Sequence, residues 1–143
     1  MAKRFQVAID SADPDRLARF WAEALGYQVQ PPPEGYASWE DLLREIGVPE
    51  ESWGDSSAIV DPDGIGPRLY FQRVPEAKAG KNRVHLDVNQ GTRETPPDER
   101  RRNVEAEAER LKALGATELY RIDENGEYWV TLADPEGNEF CLQ

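Results

Sequence analysis

Three landmarks of this sequence occur twice in the same order, and this internal repeat limits the fold more than any other feature. A strand pattern, a helix end, and a turn with its following strand recur at residues 5–9 and 84–88, 24–26 and 113–115, and 61–72 and 134–143. A single Asp-Pro-x-Gly turn would mean little, because such turns are common in any chain. Three landmarks in one order indicate a duplicated unit.

The first copy reads as a strand, a helix and three more strands. Apolar residues alternate over residues 4–10, which is the period of a strand with one face on a core. Ser11 and Asp13 are suitable caps for a helix that begins at Pro14 and stops at Gly26. Further strands are predicted at residues 27–30, 57–60 and 68–74, with an inserted helix between Ser38 and Gly47.

The second copy repeats this order with different connections. Val84, Leu86 and Val88 predict a strand with its apolar side on a core. A polar loop is predicted at residues 90–102, in which the arginine run 100–102 is read as a solvated charged segment. A helix follows through Val104, Ala108, Leu111 and Leu114, and it stops at Gly115. The last strands are predicted at residues 118–122, 127–132 and 138–143, and Asn125-Gly126 is a strong hairpin signal.

The repeat predicts one α+β domain over residues 1–143, built from two βαβββ modules at residues 1–76 and 81–143. Each helix covers one face of its sheet, and two such sheets form an open, cup-like surface. The cup is lined by the side chains of opposite parity to the core set. These are Gln6, Ala8, Asp10, Arg68, Tyr70, Gln72, Arg83, His85, Asp87, Glu139 and Cys141.

Composition excludes several classes of function. The net charge of −11 disfavours nucleic acids and anionic membranes, and it favours a cationic ligand. The only cysteine, Cys141, cannot form an intrachain disulfide. No segment is long and apolar enough to span a membrane or act as a signal peptide, so we expect a cytoplasmic protein.

Sequence motifs over nearly the whole chain resemble the vicinal oxygen chelate superfamily. The resemblance is carried by AIDSADPDRLARFWAEALGYQV, SWEDLLREIGVPEE, DPDGIGPRLYFQRVPE followed by GKNRVHLDV, and DPEGNEFCL. More narrowly, the chain is similar to the glyoxalase-like branch, which includes bleomycin-resistance-type binding proteins. The resemblance implies the cup-like fold, a small-molecule ligand and a homodimer.

In metal-dependent members of this superfamily, ligands come from the first and last strands of each module. The resemblance carries these positions to Gln6 and His85, and to Tyr70 and Cys141. The last two depart from the usual glutamate, because a neutral phenol is a poor ligand and a lone thiolate needs further strong donors. After a register shift, Glu139 could replace one of them. We therefore expect no cofactor, with a divalent metal (Zn, Ni, Mn or Fe) held by Gln6, His85, Glu139 and Cys141 as the alternative.

Two functions stay open at this point. One is a protein that sequesters a small organic molecule, as bleomycin-resistance proteins do, with Gln6, Tyr70, Asp87, Glu139 and Cys141 as ligand-binding residues. The other is a glyoxalase-type lyase or isomerase that is metal-dependent or uses His85, the only histidine, as a general acid or base. The aromatic residues Tyr36, Trp39 and Trp53 are read as either staples of the insertion or a lid. One of Tyr128 and Trp129 should face the cup.

Overall fold

The computed structural model describes all 143 residues, and their contacts divide the chain into two compact units. Unit 1 is Met1–Ala77 and unit 2 is Lys78–Gln143. Unit 1 contains β1 (Gln6–Ser11), α1 (Pro14–Leu25), β2 (Gln28–Val29), α2 (Trp39–Glu45), a 3₁₀ turn (Glu50–Ser52), β3 (Ser56–Val60) and β4 (Arg68–Arg73). Unit 2 contains β5 (Asp87–Val88), α3 (Pro97–Ala113), β6 (Thr117–Glu124), β7 (Glu127–Ala133) and β8 (Glu139–Leu142).

Both units have the same sheet topology. The strand orders are β1-β4-β3-β2 and β5-β8-β7-β6. In each unit the first strand lies at one edge and pairs in parallel with the last strand, while the remaining pairs are antiparallel. This arrangement confirms the predicted α+β fold of two βαβββ modules.

Helix α1 forms where the caps predicted it. The Asp13 side chain accepts a hydrogen bond from the Arg16 N–H, Pro14 opens the helix, and Gly26 closes it with a left-handed φ of 68°. Leu17 on the inner side of the helix packs into a core that includes the fully buried Phe71 of β4. Alternation along β4 leaves Arg68 and Tyr70 on the opposite face of the sheet.

Helix α3 begins earlier than the sequence pattern predicted. It starts at Pro97, so part of the predicted loop 90–102 is helical. Proline is well placed at the first helical position, and Asp98 and Glu99 favour the first turn electrostatically. The prediction was wrong there because the first turns carry no apolar stripe: the first buried residue of the helix is Val104.

Three apolar residues of the predicted strand and helix patterns, which should face a core, are exposed instead. Phe5 is 71% exposed, Val84 83% and Leu114 44%. Phe5 lies before β1 begins, and Val84 lies before the short strand β5. The periodic pattern extends beyond the backbone pairing, so periodicity alone overestimated the length of both first strands.

Two tryptophans of the insertion make indole hydrogen bonds within unit 1. Trp39 Nε1 donates to the carbonyl of Gln30, the residue after β2, at 2.7 Å, and Trp53 Nε1 donates to the carbonyl of Val48 inside the insertion at 2.9 Å. No residue of α2 is fully buried. The two hydrogen bonds favour the reading of these tryptophans as staples. Across both units, none of the helices has the length and apolar character that crossing a membrane requires.

Candidate functional site

The polar face of the unit 2 sheet is set by alternation along β8. Phe140 and Leu142 are fully buried, whereas Glu139 and Cys141 are half-buried on the other face. The register pairs Cys141 with Asp87 on β5 and with Thr131 on β7. Partners in register share a face, so these three side chains form one row across the sheet.

Asp87 and Cys141 of this row form a group of potential ligand atoms together with His85. One nitrogen, oxygen or sulfur atom from each residue lies within 4.8 Å of the others. His85 Nδ1 lies 2.9 Å from Asp87 Oδ1, and both side chains are a little under half exposed. An ionised carboxylate can only accept, so in this contact Nδ1 is the donor, and in the neutral imidazole Nε2 is then the acceptor.

Cys141 is poorly suited to act as a nucleophile. Burial raises the pKa of its thiol, an effect that a hydrogen bond from Thr131 partly offsets and the nearby Asp87 carboxylate reinforces. Thr131 Oγ1 lies 3.4 Å from the sulfur. A thiol that stays protonated at neutral pH is unreactive, which agrees with a packing or ligand-contact role.

Glu139 is engaged in local interactions. Its Oε2 accepts a hydrogen bond from the Asn82 N–H at 3.0 Å and lies 3.3 Å from Lys78 Nζ. Partial burial opposes ionisation, but the Asn82 and Lys78 contacts hold the pKa of the carboxyl below its ordinary value. The β7–β8 register pairs Ala133 with Glu139 and runs without a shift, so the structure provides no slip that would bring Glu139 to the Cys141 position.

A cleft of about 770 Å³ lies next to this row, and its lining includes Gln143, two residues after Cys141 in the chain. Gln143 donates from Nε2 to Asn89 Oδ1 at 3.2 Å. Trp129 and Tyr128 of β7 also line the cleft. Tyr128 reaches α3, where its hydroxyl donates to Glu105, so Trp129 is the member of the pair on the opposite face, with Thr131.

Sequence reasoning did not identify Asn89, Gln143 or the arginines as cleft residues. Arg100 donates to the carbonyls of Thr92 and Thr95, and Arg101 pairs with Asp123 and lies 4.2 Å from the centre of the Tyr128 ring. The run 100–102 is therefore not simply a solvated segment, as the sequence suggested. No local sequence signal could have found this contact, because Arg101 and Tyr128 lie far apart in the chain and meet only in the folded structure.

The polar face of unit 1 is organised around Arg68. β1 and β4 place Gln6 beside Arg68 and Ala8 beside Tyr70. Arg68 Nη1 donates to Gln6 Oε1 at 2.9 Å, Nε donates to Gln30 Oε1 at 2.7 Å, and the guanidinium lies 5.3 Å from the centre of the Tyr70 ring. Unit 1 thus brings together the two predicted residues Gln6 and Tyr70 around a cation that sequence analysis had placed on this face without a role.

These residues are a poor set of ligands for a divalent metal. Gln6 offers only a neutral amide oxygen, which already accepts from a guanidinium, and Tyr70 offers a neutral phenol. The positive charge of Arg68, about 4 Å from a divalent ion bound to Gln6, would repel that ion by on the order of 8 kcal/mol at an effective dielectric constant near 20. On the other sheet, Cys141 would first have to lose a proton, because metals bind the thiolate. Of the four family positions only His85 is a strong donor as it stands, and the Asp87 carboxylate beside it, at none of those positions, is a second one.

Comparison with known proteins identifies the family. The model of the glyoxalase-like domain matches residues 6–143, so the chain belongs to the glyoxalase-like family. Among curated proteins, none matches this sequence significantly.

Solved structures share the fold at low sequence identity. The fosfomycin resistance protein FosX from Mesorhizobium loti is 14% identical with a TM-score of 0.64, over 100% of this chain and 91% of that one. A glyoxalase/bleomycin resistance protein/dioxygenase family enzyme from Burkholderia phytofirmans is 17% identical with a TM-score of 0.62, over 96% and 94%. FosX from Listeria monocytogenes, in complex with Mn(II) and 1S,2S-dihydroxypropylphosphonic acid, is 12% identical with a TM-score of 0.63, over 100% and 90%.

Proposed function

We propose that this protein binds a small organic molecule on the polar faces of its sheets, with the cleft beside Trp129 as the main contact surface in unit 2. The observation that carries this proposal is the position of the cleft beside the row of Asp87, Cys141 and Thr131. The cleft residues Trp129 and Gln143 are each two residues along the chain from Thr131 and Cys141. The cleft volume of about 770 Å³ lies within the ordinary range for small-molecule sites. The indole of Trp129 in its lining would supply apolar contact, and the amide groups of Asn89 and Gln143 would orient the ligand.

The proposal includes binding without a divalent metal. The support is chemical: the family positions carry an amide that faces a guanidinium, a phenol, a protonated thiol and one imidazole. Mn(II) in the Listeria FosX complex is a property of that protein. Here, His85 and Asp87 would contact the ligand directly through hydrogen bonds. Glu139 would hold the loop at Asn82, because its carboxylate accepts a hydrogen bond from the Asn82 backbone N–H.

A second function is favoured by the pair of His85 and Asp87. A carboxylate on Nδ1 leaves Nε2 free to take a proton from an acidic group of a bound molecule, which is the arrangement of a general base. In this case the protein would be a lyase or isomerase in which Asp87 orients the imidazole. The cationic ligand, the homodimer and the cytoplasmic location stay predictions.

The test is a ligand screen that monitors the melting temperature of the chelator-treated protein, followed by binding titrations with Trp129→Phe. We expect hits that stabilise the protein in EDTA and bind at least about ten-fold more weakly to W129F, because a central aromatic contact contributes on the order of 1–3 kcal/mol. Trp53→Phe is the matched control, since Trp53 belongs to the insertion of unit 1, and it should leave affinity unchanged.

Two results would contradict this proposal. One is about one equivalent of Zn, Ni, Mn or Fe in protein purified without chelator, removed by His85→Ala. The other is equal affinity of all hits for W129F and the parent protein. Turnover of a hit that stops in His85→Ala while binding persists would establish the enzyme instead of the binding protein.

A further inference from the structure

We propose that Arg68 is an oxyanion-binding site of unit 1, which binds a carboxylate, phosphonate or phosphate group. This site goes beyond the cleft of unit 2 in the proposed function. The partners of the arginine define it.

The guanidinium of Arg68 is held in place by neutral groups alone. Gln6 Oε1 and Gln30 Oε1 accept two of its N–H groups, and the Tyr70 ring lies beneath it. Gln30 is itself fixed, since its backbone N–H donates to Ala58 and its carbonyl accepts from Trp39. Three of the five N–H donors stay available: one on Nη1 and both on Nη2.

Six of the 13 arginines of this acidic chain each lie within ion-pair distance of a carboxylate. Of the other seven, Arg68 and Arg100 are half-buried and the rest are exposed, and Arg100 donates to the backbone carbonyls of Thr92 and Thr95. Arg68 is the half-buried one that lies on the polar face of a sheet, where two amide oxygens accept from it while its positive charge is not neutralised.

A planar fork with free donors and an uncompensated charge is the arrangement that binds an oxyanion through two hydrogen bonds. Ala8 and Ala58 flank Tyr70 in its row across the sheet, so small side chains border the ring on both sides. The net charge of −11 predicted a cationic ligand, but that field is screened beyond about 8–10 Å. Direct contact with Arg68 decides the local preference.

The experiment is an NMR titration of the uniformly ¹⁵N-labelled full chain with sodium methylphosphonate, and separately with sodium acetate, at constant ionic strength. The Arg68 Nε–H resonance, assigned with Arg68→Lys, reports binding at the site. We expect a saturable shift with at least one of the two anions, and the stronger of them names the preferred group. In the Arg68 variants, the backbone amide resonances of β1 and β4 next to residue 68 report binding in its place. Arg68→Gln should weaken the binding of that anion by about ten-fold or more, because two charge-assisted hydrogen bonds are lost.

Arg73→Gln is the matched control, since Arg73 lies on the same strand and pairs with Asp55. It removes the same charge and should change the affinity less than about two-fold, as expected of a screened surface charge. Arg68→Lys keeps the charge but loses the fork, so an intermediate affinity is expected. Melting temperatures of all variants verify folding, and R68K keeps the test decisive if R68Q does not fold.

Equal weakening by R68Q and R73Q, or shifts no larger than those from sodium chloride, would overturn the oxyanion site. Hits that bind the cleft, with no saturable anion shift at Arg68, would overturn the oxyanion site and leave the proposed function intact. Anion binding at Arg68 without any ligand for the cleft would support the oxyanion site and contradict the proposed function.

Discussion

The two units have one strand order but make different use of it. In unit 1, β2 and β3 are separated by the insertion with α2, and β2 is only two residues long because three prolines follow it soon after. In unit 2, β6 has eight residues and meets β7 through a tight turn at Asn125 and Gly126, with φ of 55° and 79°. The comparison teaches that the central strands define the duplicated fold, while the outer edge can vary.

The last strands of the two units, β4 and β8, carry phenylalanine and leucine in opposite order at their two core positions. Leu69 and Phe71 of β4 correspond to Phe140 and Leu142 of β8, and all four are buried. The alternate positions differ in chemistry, since Tyr70 accompanies an arginine in one unit and Cys141 accompanies a histidine and a carboxylate in the other. A shared core has therefore been kept while the two polar faces diverged.

The largest expected effect tests whether the two cores are equivalent. Phe71→Ala and Phe140→Ala should each lower the free energy of unfolding by about 3–5 kcal/mol, because each removes a fully buried ring and leaves a cavity. Urea unfolding followed by circular dichroism measures the change. Phe5→Ala, at a residue that is 71% exposed, is the control and should stay within about 0.5 kcal/mol. A small effect of either core variant would break the equivalence.

A smaller effect separates the two Asp-Pro-x-Gly turns. The buried Asp134 carboxylate accepts from the backbone N–H groups of Glu136 and Asn138 and from the Asn138 amide. Asp134→Ala should cost about 1–3 kcal/mol, since buried donors lose their acceptor.

Asp61 makes the equivalent contacts in unit 1, with the N–H groups of Asp63, Ile65 and Gly66, but it is more exposed. Water can replace the lost acceptor there, so Asp61→Ala should be the milder change in the same urea assay. A larger loss in D61A than in D134A would contradict this account of the turns.

The smallest effect concerns the ion pairs of Glu118 on the edge strand β6 of unit 2. The corresponding strand of unit 1, β2, has no charged residue. Arg121 and Lys112 hydrogen-bond the Glu118 carboxylate and lower its pKa from 4.5 to about 2. A lowered folded-state pKa means that the stabilisation is present above pH 4.5 and is lost as the pH falls toward 2. The difference in urea midpoint between the parent protein and Glu118→Gln should stay below about 0.5 M and shrink through this window.

Glu124→Gln removes the same charge from the same strand without breaking an ion pair, and it reports the effect of net charge alone. A difference between the parent protein and E118Q that is constant from pH 6 to pH 2 would show that the Glu118 pair does not contribute in this way.

Local signals predicted much of the fold. The caps of α1, the stop at Gly26 and the hairpin at Asn125-Gly126 depend on neighbouring residues only, and the structure agrees with each. The predicted start of α3 was wrong, because the first turns of this helix are stabilised by proline and acidic residues rather than by an apolar stripe. Core assignments failed at Phe5 and Val84, where alternation continues past the last paired residue.

The sequence by itself determined the duplication, the order of elements and which side chains of each strand turn away from the core. Those properties depend on local conformational preference and on alternation, which a linear pattern records. Only the tertiary structure decided that Arg68 lies between Gln6 and Gln30, and that Asp87 faces both His85 and Cys141. Such contacts depend on the register between strands far apart in the chain, which a single sequence does not encode in any local pattern.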